Sequence, residues 1–211
     1  MKYDLIIVVS SSSKRLIDIT QKCIDSARAD VADLNVIIVE TFGRIYEYED
    51  CDIIKYEGQF NYNRALNLGI NKAKGDVFIL ANNDIVFHPG WSVIGDLMLS
   101  NGFDSASALS NSKNHRGLPR EDSIYPGFSI GTILTGWCIF VTRNCIKKIE
   151  RLDERCEFWG ADNVYAEQLK EKGLRHGLFC NIRVDHLESS TLRTLPTRVQ
   201  REYSYGSLQK L

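Results

Sequence analysis

Four runs of strand length alternate with two stretches of helical period inside the first 84 residues. Leu5–Ser10, Asn35–Glu40 and Val77–Ala81 are almost continuously apolar, as strands are when both faces of a sheet are covered, and Asp52–Tyr56 is a shorter fourth. Lys14–Ala29 carries Leu16, Ile17, Ile19, Cys23, Ile24 and Ala27 at the spacing of one helical face. Asn61–Lys74 reads as a second helix, ended by Gly75-Asp76. Strand, helix and strand in that order predict an α/β fold with a mostly parallel central sheet and right-handed crossovers. A chain of 211 residues is long enough for one such domain and short for two.

Beyond residue 90 the pattern changes. Trp91–Ser100 reads as a helix and Ser105–Leu109 as a strand. Ser110–Gly131 is polar, rich in Gly and Pro and without period, which predicts a long surface loop of the kind that is usually functional. Thr132–Thr142 reads as a strand, Arg143–Glu150 and Asp162–Lys172 as helices, and Leu178–His186 as a last strand. The tail from Thr191 has no core pattern. A domain over 1–190 is expected, its halves dividing near residue 100, with 191–211 as a C-terminal tail.

The net charge of −1 gives no global positive field to hold nucleic acid, so such a partner would need a local patch. The apolar run Leu5–Val9 is too short for a secretion signal or a transmembrane segment. Six scattered cysteines without a CxxC pair are read as free thiols of a reducing compartment, and a cytoplasmic protein is expected.

In open α/β sheets, ligands bind outside the carboxyl ends of the strands, and Val77–Ala81 runs straight into Asn82-Asn83-Asp84. A carboxylate there can bind a hard divalent cation that holds a pyrophosphate. Asn and Asp also favour strand-to-turn junctions for conformational reasons. Taken alone, the tripeptide leaves both readings open.

The longer segment GQFNYNRALNLGINKAKGDVFILANND resembles the nucleotide-sugar-binding half of family 2 glycosyltransferases with the GT-A fold. In that family an Asn/Arg-containing helix start, a Lys-Gly-Asp turn, a buried strand and a DxD-type motif follow in order. Here these are Asn63-Arg64, Lys74-Gly75-Asp76 and Asn82-Asn83-Asp84. The resemblance implies a single GT-A, Rossmann-like domain, a nucleoside-diphosphate sugar as donor (a UDP-sugar foremost), and Mn²⁺ or Mg²⁺ as cofactor. It implies Asp84 as metal ligand, Asn82 near the ribose or the metal's water shell, Asn83 as a further nucleotide-sugar-binding residue, and Asn63 or Arg64 near the nucleotide or diphosphate.

Further along, FWGAD fits the family's acidic helix start, with Asp162 as general base and Ala161 in place of the usual first acid. An ionised carboxylate can take the acceptor's proton; Asp is equally suited to a helix N-cap. His186, near the end of the domain, would complete the metal site, since neutral imidazole is a good ligand for Mn²⁺. Glu40 stands where the family's second strand ends in a base-reading acid. Ser10 and Ser11 replace the family's nucleotide-contacting stretch and still offer hydroxyls and backbone N–H groups. Trp137 and Trp159 flank the expected acceptor side, and the loop Ser110–Gly131 would act as its lid. His88, His115 and His176 match nothing and are read as surface residues.

The chemistry implied is a single inverting displacement onto an acceptor hydroxyl. That acceptor is a glycan, a lipid, a protein or a modified DNA base, and the tail residues Arg193, Arg198, Arg201, Tyr203 and Tyr205 are candidates to hold a phosphate-bearing one. A sugar-phosphate nucleotidyltransferase would need a Gly-rich N-terminal loop, which SSSSKRL lacks. A non-catalytic nucleotide-sugar-binding module is the other alternative, raised by Ala161. A Walker-type NTPase is excluded because no GxxxxGK is present.

Overall fold

The computed structural model describes residues 1–118 and 123–187. Among the described residues one nine-stranded sheet forms the spine, with five α-helices on its faces. The strands are β1 (Tyr3–Val9), β2 (Asn35–Glu40), β3 (Cys51–Lys55), β4 (Val77–Asn82), β5 (Ile85–Phe87), β6 (Ser105–Ser110), β7 (Ile124–Pro126), β8 (Cys138–Thr142) and β9 (His176–His186). The helices are α1 (Lys14–Arg28), α2 (Tyr62–Lys72), α3 (Ile94–Asn101), α4 (Arg143–Ile149) and α5 (Ala161–Glu171). The spatial order is β3-β2-β1-β4-β8-β6-β9-β5, with β7 paired to β9. The pairs from β3 through β4 are all parallel, β8 runs against both β4 and β6, and β6 and β9 are again parallel. The sheet is therefore mostly parallel.

The apolar runs are continuous because both faces are covered. Leu5, Ile7 and Val9 pack with Cys23, Ile24 and Ala27 of α1 and with Trp91, whereas Ile6 packs with Leu66 and Ile70 of α2. Gly69 allows that second contact, since a Cβ there would run into the Ile6 side chain. Ser13 caps α1 by accepting from Leu16 N at 3.4 Å, and Asn61 caps α2 by accepting from Arg64 N at 2.9 Å.

The Lys-Gly-Asp turn has a structural basis. The buried Asp4 carboxylate accepts from Lys74 N at 2.7 Å and from Gly75 N, while Asp76 Oδ2 accepts from Lys2 N at 2.9 Å. A Cβ on Gly75 would lie 2.8 Å from Lys2 O, so the turn needs glycine for its close approach to β1.

Several expectations are corrected. The Ser110–Gly131 stretch is not a bare loop: it holds a 3-10 turn at Lys113–His115 and strand β7. The strand expected over Thr132–Thr142 begins only at Cys138, after a turn-rich approach. Strand β5 has no counterpart in the sequence reading. His115 and His176 are buried, not on the surface. His115 Nδ1 accepts from Ser110 N at 2.9 Å and its Nε2 donates to Thr132 O at 2.7 Å, so the ring braces the approach to β8. The tail over 191–211, with its arginines and tyrosines, lies outside the described residues. Among the described residues no helix is long and apolar enough to cross a membrane.

Candidate functional site

Strands β1, β2, β4, β6 and β9 point the same way, and their carboxyl ends meet the start of the reversed β8 along one edge of the sheet. A cavity of about 740 Å³ opens there. Ser10 and Thr41 border it from the ends of β1 and β2, and Asn82, Asn83 and Asp84 from the end of β4. Trp137, Trp159, Asp162 and His186 close the other side.

His186 reaches Asp84 through a register that the sequence did not reveal. Strand β5 pairs antiparallel with β9, Ile85 opposite His186, so Asp84 falls beside the end of β9. Leu187 N donates to Asp84 O at 3.0 Å and fixes the crossing. The imidazole Nε2 lies 3.3 Å from Asp84 Oδ1, in a pair almost shielded from solvent. That nitrogen is buried and makes no hydrogen bond of acceptable geometry. Trp137 stacks on the imidazole at 5.1 Å between centroids and 17° between planes, setting the ring's orientation. An imidazole nitrogen that makes no hydrogen bond, with a carboxylate oxygen 3.3 Å away, is a donor set that fits a divalent cation. Their separation is close to the spacing of neighbouring ligands on one ion, about 3 Å for bonds near 2.1 Å. Among the described residues no group of three or more His, Cys, Asp or Glu gathers for a metal.

Asn82, the residue ahead of the pair, is held from three sides. Its amide donates to Trp137 O at 2.8 Å, its Oδ1 accepts from the Tyr62 hydroxyl at 2.9 Å, and its carbonyl accepts weakly from Cys23 Sγ at 3.8 Å. Burial pushes the Tyr62 phenol up, and the charges of Asp84, Cys138 and Asp162 add to the shift, so it stays a proton donor between the two acids.

Asp162 lies in the first turn of α5, where Gly160, at φ +85°, takes the N-cap position. Burial raises its carboxyl above the usual carboxylate range, opposed by hydrogen bonds from the Asn163 amide and its own. A Cβ on Gly136 would lie 3.1 Å from Asp162 Cβ and 3.3 Å from Oδ2, so the bare backbone there makes room for the acid. Phe158 and Trp159, just upstream, meet edge to face at 5.7 Å, and Trp159 is 40% exposed at the cavity wall.

The other expected residues are bonded within the fold. Asn63 borders the cavity, yet its amide donates to Asp153 O at 2.6 Å. Arg64 does not line it: its guanidinium pairs with Glu154 at 2.9 Å. With Asn61 donating to Glu154 O at 2.8 Å and Asn67 to Leu152 O at 2.8 Å, this face of α2 grips the segment that delivers Phe158–Asp162. Glu40 is fully buried below the cavity, its Oε1 accepting from Ser11 N at 3.1 Å and Phe42 N at 2.8 Å. Ser11 likewise turns its hydroxyl inward, to Tyr48 at 2.9 Å. Tyr62, Gly136 and Phe158 were not singled out from sequence; only their adjacency to Asn61, Trp137 and Trp159 could have drawn attention to them.

No protein-family profile and no curated protein matches the sequence. Solved structures do match. GalNAc-T7, crystallised with UDP, GalNAc and Mn²⁺, superposes with a TM-score of 0.69 at 11% identity, over 88% of this chain and 43% of that one. S. aureus TarS gives 0.66 at 11% identity, over 100% of this chain and 43% of that one. Its 1-349 form gives 0.63 at 11% identity, over 100% and 71%. The chain thus spans less than half the length of GalNAc-T7 or of the longer TarS structure. Both are GT-A-type glycosyltransferases, and the architecture described above is the GT-A glycosyltransferase fold.

Proposed function

We propose that the protein is a metal-dependent, inverting glycosyltransferase, moving a sugar from a nucleoside-diphosphate sugar, a UDP-sugar foremost, to an acceptor hydroxyl. The observation that carries this reading is the convergence of the Asp84–His186 pair and Asp162 in one cavity at the carboxyl edge of the sheet. The UDP and Mn²⁺ in the GalNAc-T7 structure support the choice of donor and ion.

Asp84 and His186 would hold Mn²⁺ or Mg²⁺, which when bound supplies charge neutralisation on the departing diphosphate. Asn82 and Asn83 hold the turn that presents Asp84. Ser10 and Thr41 border the nucleoside end, within the half spanning roughly residues 1–100. In the acceptor half, about 101–190, Trp137 and Trp159 offer faces to a sugar ring. Asp162, its proton affinity raised by burial, takes the proton of the acceptor hydroxyl as that oxygen attacks the anomeric carbon from the face opposite the diphosphate. The C–O bond to the diphosphate breaks as the new one forms, and configuration inverts. The free cysteines support a reducing, cytoplasmic setting.

A panel of UDP-, GDP- and dTDP-sugars incubated with the protein and Mn²⁺ tests this. Slow hydrolysis of one donor, with water as the acceptor and the released sugar's anomer inverted by NMR, is expected. Consumption of none sinks the reading, and a retained anomer sinks the single displacement.

A further inference from the structure

Tyr62 touches both segments that furnish the cavity. On one side its backbone N–H donates to Glu157 O at 2.7 Å, and its ring meets Phe158 edge to face at 5.6 Å. Both contacts fix it to the stretch that leads into Asp162. On the other side its hydroxyl donates to Asn82 Oδ1 at 2.9 Å. Tyr62 is buried, and burial keeps its phenol protonated. A phenol carries one proton, and among the described residues Asn82 is the only partner of this hydroxyl. Turning the Asn82 amide over would leave that buried proton without an acceptor. Oδ1 therefore stays toward Tyr62.

With Oδ1 engaged, the free polar group of Asn82 is Nδ2, which can only donate. The backbone N–H and carbonyl of Asn82 are already bonded, to Trp137 O and Cys23 Sγ. Asn82 is half-buried on the cavity wall, two residues before Asp84, and among the described residues nothing accepts from its Nδ2. The charge around it selects the partner. The described residues that line the cavity include the carboxylates Asp84 and Asp162 and no Lys or Arg. Apart from a bound cation, a diphosphate there would have only neutral donors to meet its oxygens. We propose that Asn82 Nδ2 donates to a diphosphate oxygen of the sugar donor, and that Tyr62 is the positioning residue that turns the amide that way. The proposal rests on the reading of the cavity as a nucleoside-diphosphate site. A carboxylate at position 82 would accept only, and would repel the diphosphate.

Calorimetric titration of UDP at saturating Mn²⁺ tests this without any measure of turnover. Asn82→Ala is expected to weaken UDP binding about five- to ten-fold, and Tyr62→Phe, which keeps the ring and loses only the hydroxyl, about three-fold. Because Tyr62 acts through Asn82, the double variant should bind no more weakly than Asn82→Ala alone. Asn82→Asp keeps an acceptor for Tyr62 and removes the donor, so it should bind UDP more weakly than Asn82→Ala does. If Asn82→Ala does not fold, Asn82→Asp carries the test. UDP affinity within about two-fold of wild type in Asn82→Ala or in Asn82→Asp would overturn the contact to the diphosphate. Losses that multiply in the double variant, or unchanged affinity in Tyr62→Phe, would make Tyr62 structural only and overturn its positioning role. A wild-type protein that binds no UDP with Mn²⁺ would instead sink the functional reading, and this proposal with it.

Discussion

The sheet joins two kinds of construction at β4. On the β3-β2-β1-β4 side the strands are parallel, and α1 and α2 cover opposite faces with aliphatic side chains. On the β8-β6-β9-β5 side directions are mixed, with β8 and β5 running against the parallel β6 and β9, and β6 buries Ser105 and Ser107 where an aliphatic residue would be expected. Those serines take the place of apolar packing by bonding. Tyr165 donates to Ser105 Oγ at 2.9 Å, Thr135 N donates to Ser107 Oγ at 3.1 Å, and His176 meets Ser105 at 2.9 Å and Ser107 at 3.3 Å. The first side holds its shape by burial of apolar area and the second by a hydrogen-bonded lattice that carries irregular backbone to the cavity. Substitutions should therefore separate: on the first side they cost stability, and on the second they act on chemistry or on its pH dependence.

The largest effect is expected at Asp162. Asp162→Asn should lower sugar transfer by about 10² to 10⁴-fold. The same change should leave the fold at least as stable at neutral pH. The folded-state pKa is raised, so the carboxylate contributes stability when protonated and loses it as pH rises through that pKa. Transfer rates and melting curves of the one variant check both halves, and transfer within a few-fold of wild type would break the contrast. Wild-type activity should also fall as pH drops through a value above the ordinary carboxylate range, because the base must be ionised to act.

Next comes Asp4, on the apolar side. Asp4→Ala strips the acceptor from Lys74 N, Gly75 N and the Asn35 amide, and should cost about 4 kcal/mol by chemical denaturation. A loss under about 1 kcal/mol would mean that water replaces the carboxylate at the turn.

His176 gives the smaller effect. Burial lowers its pKa from 6.5 to about 4, so the folded state keeps the ring neutral while the unfolded chain takes up a proton below pH 6.5. Stability present above pH 6.5 is lost as pH falls toward 4, by up to about 3 kcal/mol. Denaturation across that range should show the slope in wild type, and His176→Gln should flatten it.

The same division explains what could be read from the sequence. Leu5–Ser10, Val77–Ala81 and the face of α1 declare themselves because aliphatic periodicity is what holds that side together. The Asn82-Asn83-Asp84 turn follows such a run and was identifiable with it. Strand β5 was not, since three residues carry no period, and it is this strand that brings Asp84 beside His186. His115 and His176 read as surface polar residues because their partners (Ser110, Thr132, Ser105, Ser107) are distant or polar, and no hydrophobic pattern marks them as interior. Arg64 and Asn63 were legible as a motif but not in their contacts, which depend on where the 152–157 segment crosses α2.

The central claim is that Asp84 and His186 make the cavity a metal-dependent nucleotide site, and calorimetric titration of UDP with and without Mn²⁺ tests it most directly. Wild type should bind UDP only when Mn²⁺ is present, and Asp84→Ala should lose that binding while melting as a folded protein. UDP binding that is equal without metal, or that survives intact in Asp84→Ala, would contradict it.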